Sequence, residues 1–225
     1  MRSGELAKTL EPTLLRANAL VSEIDELCTM AEREHVACVV VFPCWVSNAR
    51  SRLDGTDVRV CAAIAHPYGG ESEAAKAAGA AQAVRDGAHD VEVVASLAAL
   101  ANGDFQAVRD ELATVARAAR SVRGGSLVRA VLESCYLEDR ALRLAARVVT
   151  SAGLDGATTS TGVGPEGATE HVVRILREEL PAGCMVKAAG GIGTVDDARL
   201  LIEAGASRLG TTVAGRLLDE LRATR

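Results

Sequence analysis

The stretch of residues 184–210, CMVKAAGGIGTVDDARLLIEAGASRLG, contains a strand pattern, a glycine turn, a helix pattern and a second strand pattern. The apolar run Met185–Ala188 predicts a buried strand that ends at Gly190-Gly191. A helical pattern follows over Val195–Ala204, and Arg208–Gly210 begins the next strand. This order indicates one β–α–β unit, which is the building block of parallel sheets.

The same alternation of strand and helix patterns recurs along the whole chain. Eight such units within 225 residues predict an α/β fold. More specifically, they predict one (β/α)8 barrel domain that spans residues 1–225. A doubly wound open sheet is the alternative, although no Gly-x-Gly-x-x-Gly motif follows the first strand. The predicted strands are Leu10–Leu15, Ala37–Phe42, Val58–Ala65, Asp90–Val94, Leu127–Leu132, Gly156–Ser160, Met185–Ala188 and Arg208–Gly210. The predicted helices are Ser22–Glu34, Trp45–Leu53, Ser72–Asp86, Asp104–Val122, Glu138–Ala152, Thr169–Leu180, Val195–Ala204 and one final helix.

Composition limits the kinds of partner. The formal charge is −5 and aromatic residues make up 2% of the chain, which argues against nucleic acid because there is no basic stripe and few rings for stacking. No apolar run approaches membrane-spanning length, so no membrane partner is expected. The six cysteines form no CxxC pair and no zinc spacing, which predicts reduced cysteines, a cytoplasmic location and no metal site.

Lys187 is one of only three lysines among 25 basic residues, the others being Lys8 and Lys76. Arginine supplies the positive charge elsewhere, so a lysine at the end of an apolar strand suggests a task that needs an amine. Burial is expected to lower the pKa of this amine, which could then attack a carbonyl carbon to form an imine, whereas a nearby Glu92 would raise that pKa. The alternative is a lysine that extends to solvent or only binds an anion. Lys76 is predicted to be solvated on a helix.

Polar residues gather where the predicted strands end, and in a barrel these ends form one mouth. Asp90 and Glu92 lie two residues apart on one strand face, while His66, Glu133 and Lys187 lie at or near the ends of other strands. Carboxylates and an amine that converge in this way suit proton transfer next to a carbonyl group. Each residue also has a structural alternative, since strand carboxylates often only accept hydrogen bonds and a histidine before proline often only forms a turn. Glycine and hydroxyl residues in the turns suit a phosphate or another part of the substrate: Ser160, Thr161, Gly162, Gly190, Gly191, Gly210, Thr211 and Thr212.

Taken together, seven segments resemble the deoxyribose-phosphate aldolase family. They are Thr13–Leu15, Cys61–Gly70, Val91–Val94, Val131–Cys135, Thr159–Gly162, Val186–Ile192 and Arg208–Thr212. The resemblance extends from about Leu10 to Leu218. It implies a (β/α)8 barrel that joins acetaldehyde to glyceraldehyde 3-phosphate reversibly, through a lysine Schiff base and with no metal or other cofactor. It also implies that a homodimer is a common assembly.

The departures from the family pattern cluster in the predicted mouth. The family's imine-forming lysine directly precedes the Thr-Ser-Thr-Gly segment, and that position is Thr158 here, which cannot form an imine. The family's second active-site lysine matches Lys187, and its strand-four aspartate is replaced by Glu92. The remaining departures are Glu11-Pro12 for Asp-His, Phe42 for Asn, His66 for Phe, Gly193 for Arg and Thr211-Thr212 for Ser-Ser.

Three hypotheses follow, all with a small carbonyl compound, which could be a sugar phosphate, as the ligand. In the first, the chain is a divergent carbon–carbon lyase, like a class I aldolase, in which Lys187 forms the imine. In the second, Lys187, Glu92 and His66 carry out acid–base or enolate chemistry without an imine, such as a cyclisation, dehydration or isomerisation. In the third, the chain is a non-catalytic protein that binds a sugar phosphate. Because of Thr158, ordinary deoxyribose-phosphate aldolase activity is expected to be very low.

Overall fold

The computed structural model describes residues 1–223, and its eight parallel strands close into a barrel. Each strand pairs with the next, and the eighth pairs with the first through Glu11 and Gly210. The predicted (β/α)8 barrel is therefore confirmed, and the open-sheet alternative is wrong. The strands are β1 (Leu10–Leu14), β2 (Cys38–Val41), β3 (Arg59–Ile64), β4 (Asp90–Val94), β5 (Leu127–Val131), β6 (Gly156–Thr158), β7 (Met185–Ala189) and β8 (Arg208–Thr211).

Helices cover the outside of the barrel. They are α1 (Ser3–Ala7), α2 (Val21–Glu34), α3 (Val46–Arg52), α4 (Glu73–Arg85), α5 (Leu97–Ala101), α6 (Phe105–Val122), α7 (Asp139–Ser151), α8 (Glu170–Glu179), α9 (Val195–Glu203) and α10 (Ala214–Ala223). The sequence did not predict α1 and α5, because helices of five residues are too short to carry a helical repeat. Short 3₁₀ turns at Pro43–Trp45 and Ser134–Tyr136 follow β2 and β5.

Local signals fix where α9 begins after the glycine turn of β7. The hydroxyl of Thr194 accepts a hydrogen bond from the backbone N–H of Asp197 at 3.1 Å, and the Asp197 carboxylate accepts one from the N–H of Thr194 at 2.9 Å. This reciprocal cap satisfies two backbone donors of the first turn and holds the chain that leaves the mouth of the barrel.

The core has an outer and an inner part. The larger apolar cluster fills the space between strands and helices, as expected for a parallel sheet covered on its outer face. A small cluster of Cys38, Val40, Cys61 and Ala63 lies inside the barrel. Because these inner side chains are small, the upper part of the barrel has room for long charged side chains.

Lys76 is buried, so the prediction of a solvated side chain is wrong. It is 1% exposed, and its Nζ lies 2.9 Å from Oε2 of Glu111 and 3.0 Å from the carbonyl oxygen of Val94. Glu111 also accepts a hydrogen bond from the N–H of Ser96. A local helical pattern could not reveal this pairing because α4 and α6 meet only in the folded chain. Among residues 1–223, no helix has the length and apolar character needed to cross a membrane.

Candidate active site

Four charged side chains form a cluster inside the barrel, each at most 5% exposed. The Nζ of Lys187 lies 2.9 Å from Oε2 of Glu11 and 2.8 Å from Oε2 of Glu92. Arg129 donates two hydrogen bonds to Glu11, at 2.6 and 2.8 Å. Its Nε lies 3.6 Å from Oε1 of Glu92. These two buried cations and two buried carboxylates form a network that we call the buried ion cluster, and the partly exposed Arg208 adds a further cation, with its Nε 3.6 Å from Oε1 of Glu11.

Strand register brings these side chains together. Glu92 of β4 is opposite Arg129 of β5, and Glu11 of β1 is opposite Gly210 of β8. Gly210 leaves room for the lysine, since a Cβ atom there would lie 2.8 Å from Cε of Lys187. The glycine predicted to bind substrate therefore also makes space for the Lys187 side chain.

The environment of Lys187 favours its charged form. Burial alone would lower the pKa of the ammonium, but the carboxylates of Glu11 and Glu92 outweigh burial and raise the pKa of Lys187 above its usual value. The expectation of a lowered pKa is therefore wrong. It rested on the apolar strand around the lysine; Glu92 was expected to oppose the shift, but Glu11 on β1 was not included.

The two carboxylates respond in the opposite direction. Burial would raise the pKa of Glu11, but Arg129 and Lys187 outweigh it and lower that pKa to about 2. For Glu92 the attraction of Lys187 and Arg129 likewise outweighs burial, and its pKa is lowered. Both carboxylates are thus ionised at neutral pH, and Lys187 stays protonated between them.

Thr158 lies beside the cluster at the end of β6. It is opposite Lys187 in the β6–β7 register, it is 1% exposed, and its hydroxyl donates a hydrogen bond to Oε1 of Glu92. The hydroxyl at this position therefore helps to hold a carboxylate, and it adds no charge to the cluster.

His66 lies above the cluster and connects two cavities. It is half-buried, and its ring packs edge-on against Phe42 with 5.7 Å between the ring centres. Burial lowers the pKa of His66, and the nearby Lys187 adds to this effect while Glu92 opposes it. The ring is therefore neutral at pH 7 and can accept a proton.

The larger cavity, which we call the outer cavity, has a volume of about 470 Å³ and opens at the mouth. A smaller inner cavity of about 30 Å³ lies below it and is lined by Lys187, Glu92, Ser160 and other residues. His66 and Thr161 line both cavities. Of the site residues predicted from the glycine and hydroxyl turns, Ser160 does not border the outer cavity. The others do, and they are Thr161, Gly162, Gly190, Gly191, Gly210, Thr211 and Thr212.

Two of these predicted binding residues have clear structural tasks. Gly190 has a φ of +90°, and a Cβ atom there would lie 2.9 Å from Cα of Gly167, so no other residue fits without a shift. The hydroxyl of Thr211 donates to the carbonyl oxygen of Ile192 at 2.8 Å. Its proton is therefore used within the protein, and its contribution to a ligand is limited to accepting a hydrogen bond.

Glu133 belongs to a separate contact set. Its carboxylate accepts hydrogen bonds from the N–H and the hydroxyl of Thr161, and its backbone has a φ of +47°. This contact fixes the loop after β6, which borders the outer cavity. Asp90 is also apart from the ion cluster, because it pairs with Arg59 at the opposite end of β4.

Sequence reasoning missed Arg129 and treated Glu11 only as a departure from the family. Each is a charged residue in the middle of an apolar strand, which was the available signal. It also missed Arg16 and Arg216, which border the outer cavity. Arg216 donates to the carbonyl oxygen of Gly193 at 3.0 Å, so its guanidinium lies beside the position at which the family pattern has an arginine.

Comparisons with known proteins agree with this architecture, although no protein-family model matches the chain. A deoxyribose-phosphate aldolase of Thermoanaerobacter sp. (strain X514) is 39% identical over 215 residues, which are 96% of each chain. One of Streptococcus equi subsp. zooepidemicus is 38% identical over 91% of each chain. The solved structure of a tetrameric deoxyribose phosphate aldolase from Aeropyrum pernix has a TM-score of 0.91 at 28% identity, covering 99% of this chain and 93% of its own. The chain therefore belongs to the deoxyribose-phosphate aldolase family.

Proposed function

We propose that this protein is a carbon–carbon lyase that cleaves a small β-hydroxy carbonyl compound through an enolate, with Lys187 as a cationic hydrogen-bond donor to the carbonyl oxygen. The observation that carries the proposal is the position of the Lys187 ammonium between Glu11 and Glu92. This is the second of the three hypotheses from the sequence, applied to the reaction class of the family.

An imine requires a neutral amine at the moment of attack. An amine with the ordinary lysine pKa of about 10.4 is neutral in fewer than about one molecule in 10³ at pH 7. Glu11 and Glu92 raise the pKa of Lys187 further, which makes the neutral amine scarcer still. The cluster therefore supports a lysine that stays charged and stabilises negative charge on oxygen.

His66 is the group that can move the proton. The neutral ring accepts the proton of the β-hydroxyl group as the bond between Cα and Cβ breaks. The electron pair of that bond passes to Cα and the carbonyl group, so that one aldehyde is released and an enolate remains beside Lys187. His66 then returns the proton to Cα of the enolate, which completes the cycle with no oxidant or other reactant.

The outer cavity supports a substrate that also carries an anionic group, such as a phosphate. Its floor is formed by glycine turns whose backbone can approach a ligand closely, and Arg216 contributes positive charge to its wall, whereas Arg16 is paired with Glu23. A volume of about 470 Å³ is sufficient for a sugar phosphate.

A second candidate is a class I aldolase in which Lys187 itself forms the imine. It is favoured by one observation, which is that Lys187 borders the inner cavity, where the carbonyl group of a bound substrate would be close to its amine. In this case the substrate would have to displace Glu11 or Glu92 and so release the proton of the amine.

Borohydride trapping separates the two candidates. The protein is incubated with deoxyribose 5-phosphate or short aldehydes, with and without sodium borohydride, and examined by intact-mass analysis and by an assay for released aldehyde. We expect slow cleavage and no covalent adduct. An adduct located at Lys187 by peptide mapping would refute the enolate proposal and support the imine. Ligand binding without turnover across the panel would leave only a non-catalytic binding protein.

Other predictions from the sequence also remain open to test. They are a cytoplasmic location, a homodimeric assembly, a function without metal or cofactor, and the absence of a nucleic-acid partner. Size-exclusion chromatography with light scattering would test the assembly.

A further inference from the structure

Three buried serine hydroxyl groups in residues 1–223 have no hydrogen-bond partner: those of Ser126, Ser134 and Ser160. Of these, Ser160 borders the inner cavity beside Lys187 and Glu92. Ser160 is 2% exposed, so bulk water does not satisfy its hydroxyl group. A buried donor without a partner is unfavourable, and its position next to a cavity indicates an oxygen atom that the protein itself does not supply.

The inner cavity has the size of a single oxygen site. Its volume of about 30 Å³ is enough for one water molecule, or for one oxygen atom of a larger molecule held in the outer cavity. His66, Thr161 and Ala189 border both cavities, so a substrate in the outer cavity can place one atom in the inner one.

Other hydroxyl groups around the inner cavity are already committed. The hydroxyl of Thr13 donates to the carbonyl oxygen of Glu11 at 3.0 Å, and the hydroxyl of Thr161 donates to Glu133. Lys187 has three N–H donors, and Glu11 and Glu92 take two of them. Apart from His66, which the proposed function uses for proton transfer, the side-chain donors that remain for an oxygen in the inner cavity are the hydroxyl of Ser160 and one N–H of Lys187.

We propose that the inner cavity is an oxyanion site in which Ser160 and Lys187 together donate hydrogen bonds to the carbonyl oxygen of the substrate. A water molecule occupies the same position in the resting protein. The proposal rests on the proposed function, because two donors aimed at one oxygen favour the enolate over the neutral carbonyl group. Ser160 thereby becomes a substrate-contacting residue of the cleavage reaction.

The test uses Ser160→Ala and a matched control, Ser126→Ala. Ser126 is also buried and without a partner, but it directly precedes β5, at the end of the barrel opposite the mouth. High-resolution crystal structures of the unliganded proteins should show one water between Ser160 and Lys187 in the wild type, and no ordered water there in Ser160→Ala. Cleavage of deoxyribose 5-phosphate should fall about 10²-fold in kcat for Ser160→Ala, with a small change in KM. Ser126→Ala should match the wild type.

Several results would overturn the proposal. An inner cavity without a water in the wild type would do so whether or not deoxyribose 5-phosphate is turned over. A kcat for Ser160→Ala within twofold of the wild type would remove the serine from the reaction. An equal loss of kcat in Ser126→Ala would assign the effect to folding. If borohydride traps a substrate on Lys187, and the water present in the wild type is absent in Ser160→Ala, the enolate mechanism is refuted. The inner cavity would then still be supported as a binding site for one oxygen atom.

Discussion

Replacing Thr158 with lysine tests how the buried ion cluster controls the chemistry of an amine. Thr158 is opposite Lys187 on the neighbouring strand, and its hydroxyl contacts Glu92. The wild-type cluster balances two cations, Lys187 and Arg129, against two carboxylates. Thr158→Lys adds a buried cation without adding a carboxylate. In the variant, one of the two lysine amines, at position 158 or 187, should therefore lose its proton more easily than Lys187 does in the wild type.

The size of the effect follows from the strand spacing. Neighbouring strands lie about 4.8 Å apart, so the new amine and Lys187 are roughly 5 Å from each other. Two like charges at roughly 5 Å repel by about 3 kcal/mol at an effective dielectric constant of about 20, which corresponds to about 2.5 pKa units. The repulsion should thus lower the pKa of the introduced amine by about 2.5 units, and burial acts in the same direction, whereas Glu92, which contacts this position, opposes both. The repulsion alone therefore raises the neutral fraction of the amine about 300-fold at a pH well below its pKa.

The assay is covalent trapping by borohydride with deoxyribose 5-phosphate, read by intact mass and peptide mapping. We expect one adduct per chain at position 158 in Thr158→Lys and none in the wild type. Thr158→Met is the control, because it has a similar length without an amine. Thermal unfolding should show that both variants are folded. Failure of the folded Thr158→Lys variant to trap substrate would refute this account of the cluster. Equally fast trapping at Lys187 in the wild type would refute the assignment of Lys187 as a cation.

Four further outcomes are expected. Lys187→Ala should lose about 2.7–4 kcal/mol of transition-state stabilisation, measured as kcat/KM, while Lys187→Arg should keep part of the activity because it keeps a donor and a charge. Because the pKa of His66 is lowered from the usual histidine value of 6.5, kcat/KM should not yet fall at pH 6.5 and should decline only at more acidic pH, where the ring gains a proton. His66→Gln should remove this acidic decline. Arg216→Ala should raise KM at least about tenfold for a phosphorylated substrate and leave an unphosphorylated analogue unchanged. Lys76→Ala should lower the free energy of unfolding in urea by about 3–5 kcal/mol because its buried partner keeps its charge, whereas Lys8→Ala, which breaks an exposed pair, should change it by less than about 1 kcal/mol.

The amino-acid sequence was sufficient to predict the architecture. Strand and helix patterns recur eight times, and each is a local signal, because a parallel strand buried on both faces leaves a continuous apolar run and a helix buried on one face leaves a repeat of about 3.6 residues. The glycine turn after β7 and the helix cap at Thr194 are local as well. The sequence also indicated Lys187, Glu92 and Thr158 as site residues, because rare or polar residues in or after apolar strands can be recognised without knowing their neighbours in space.

The protonation and pairing of these groups depend on contacts that form only when the barrel closes. Glu11 and Arg129 are 118 positions apart in the chain, and barrel closure makes them partners. The sign of the pKa shift of Lys187 depends on the distances to Glu11 and Glu92, which lie on other strands. Lys76 was misjudged for the same reason, because its partner is on another helix. Electrostatic energy depends on separation in space, and separation along the chain does not determine it.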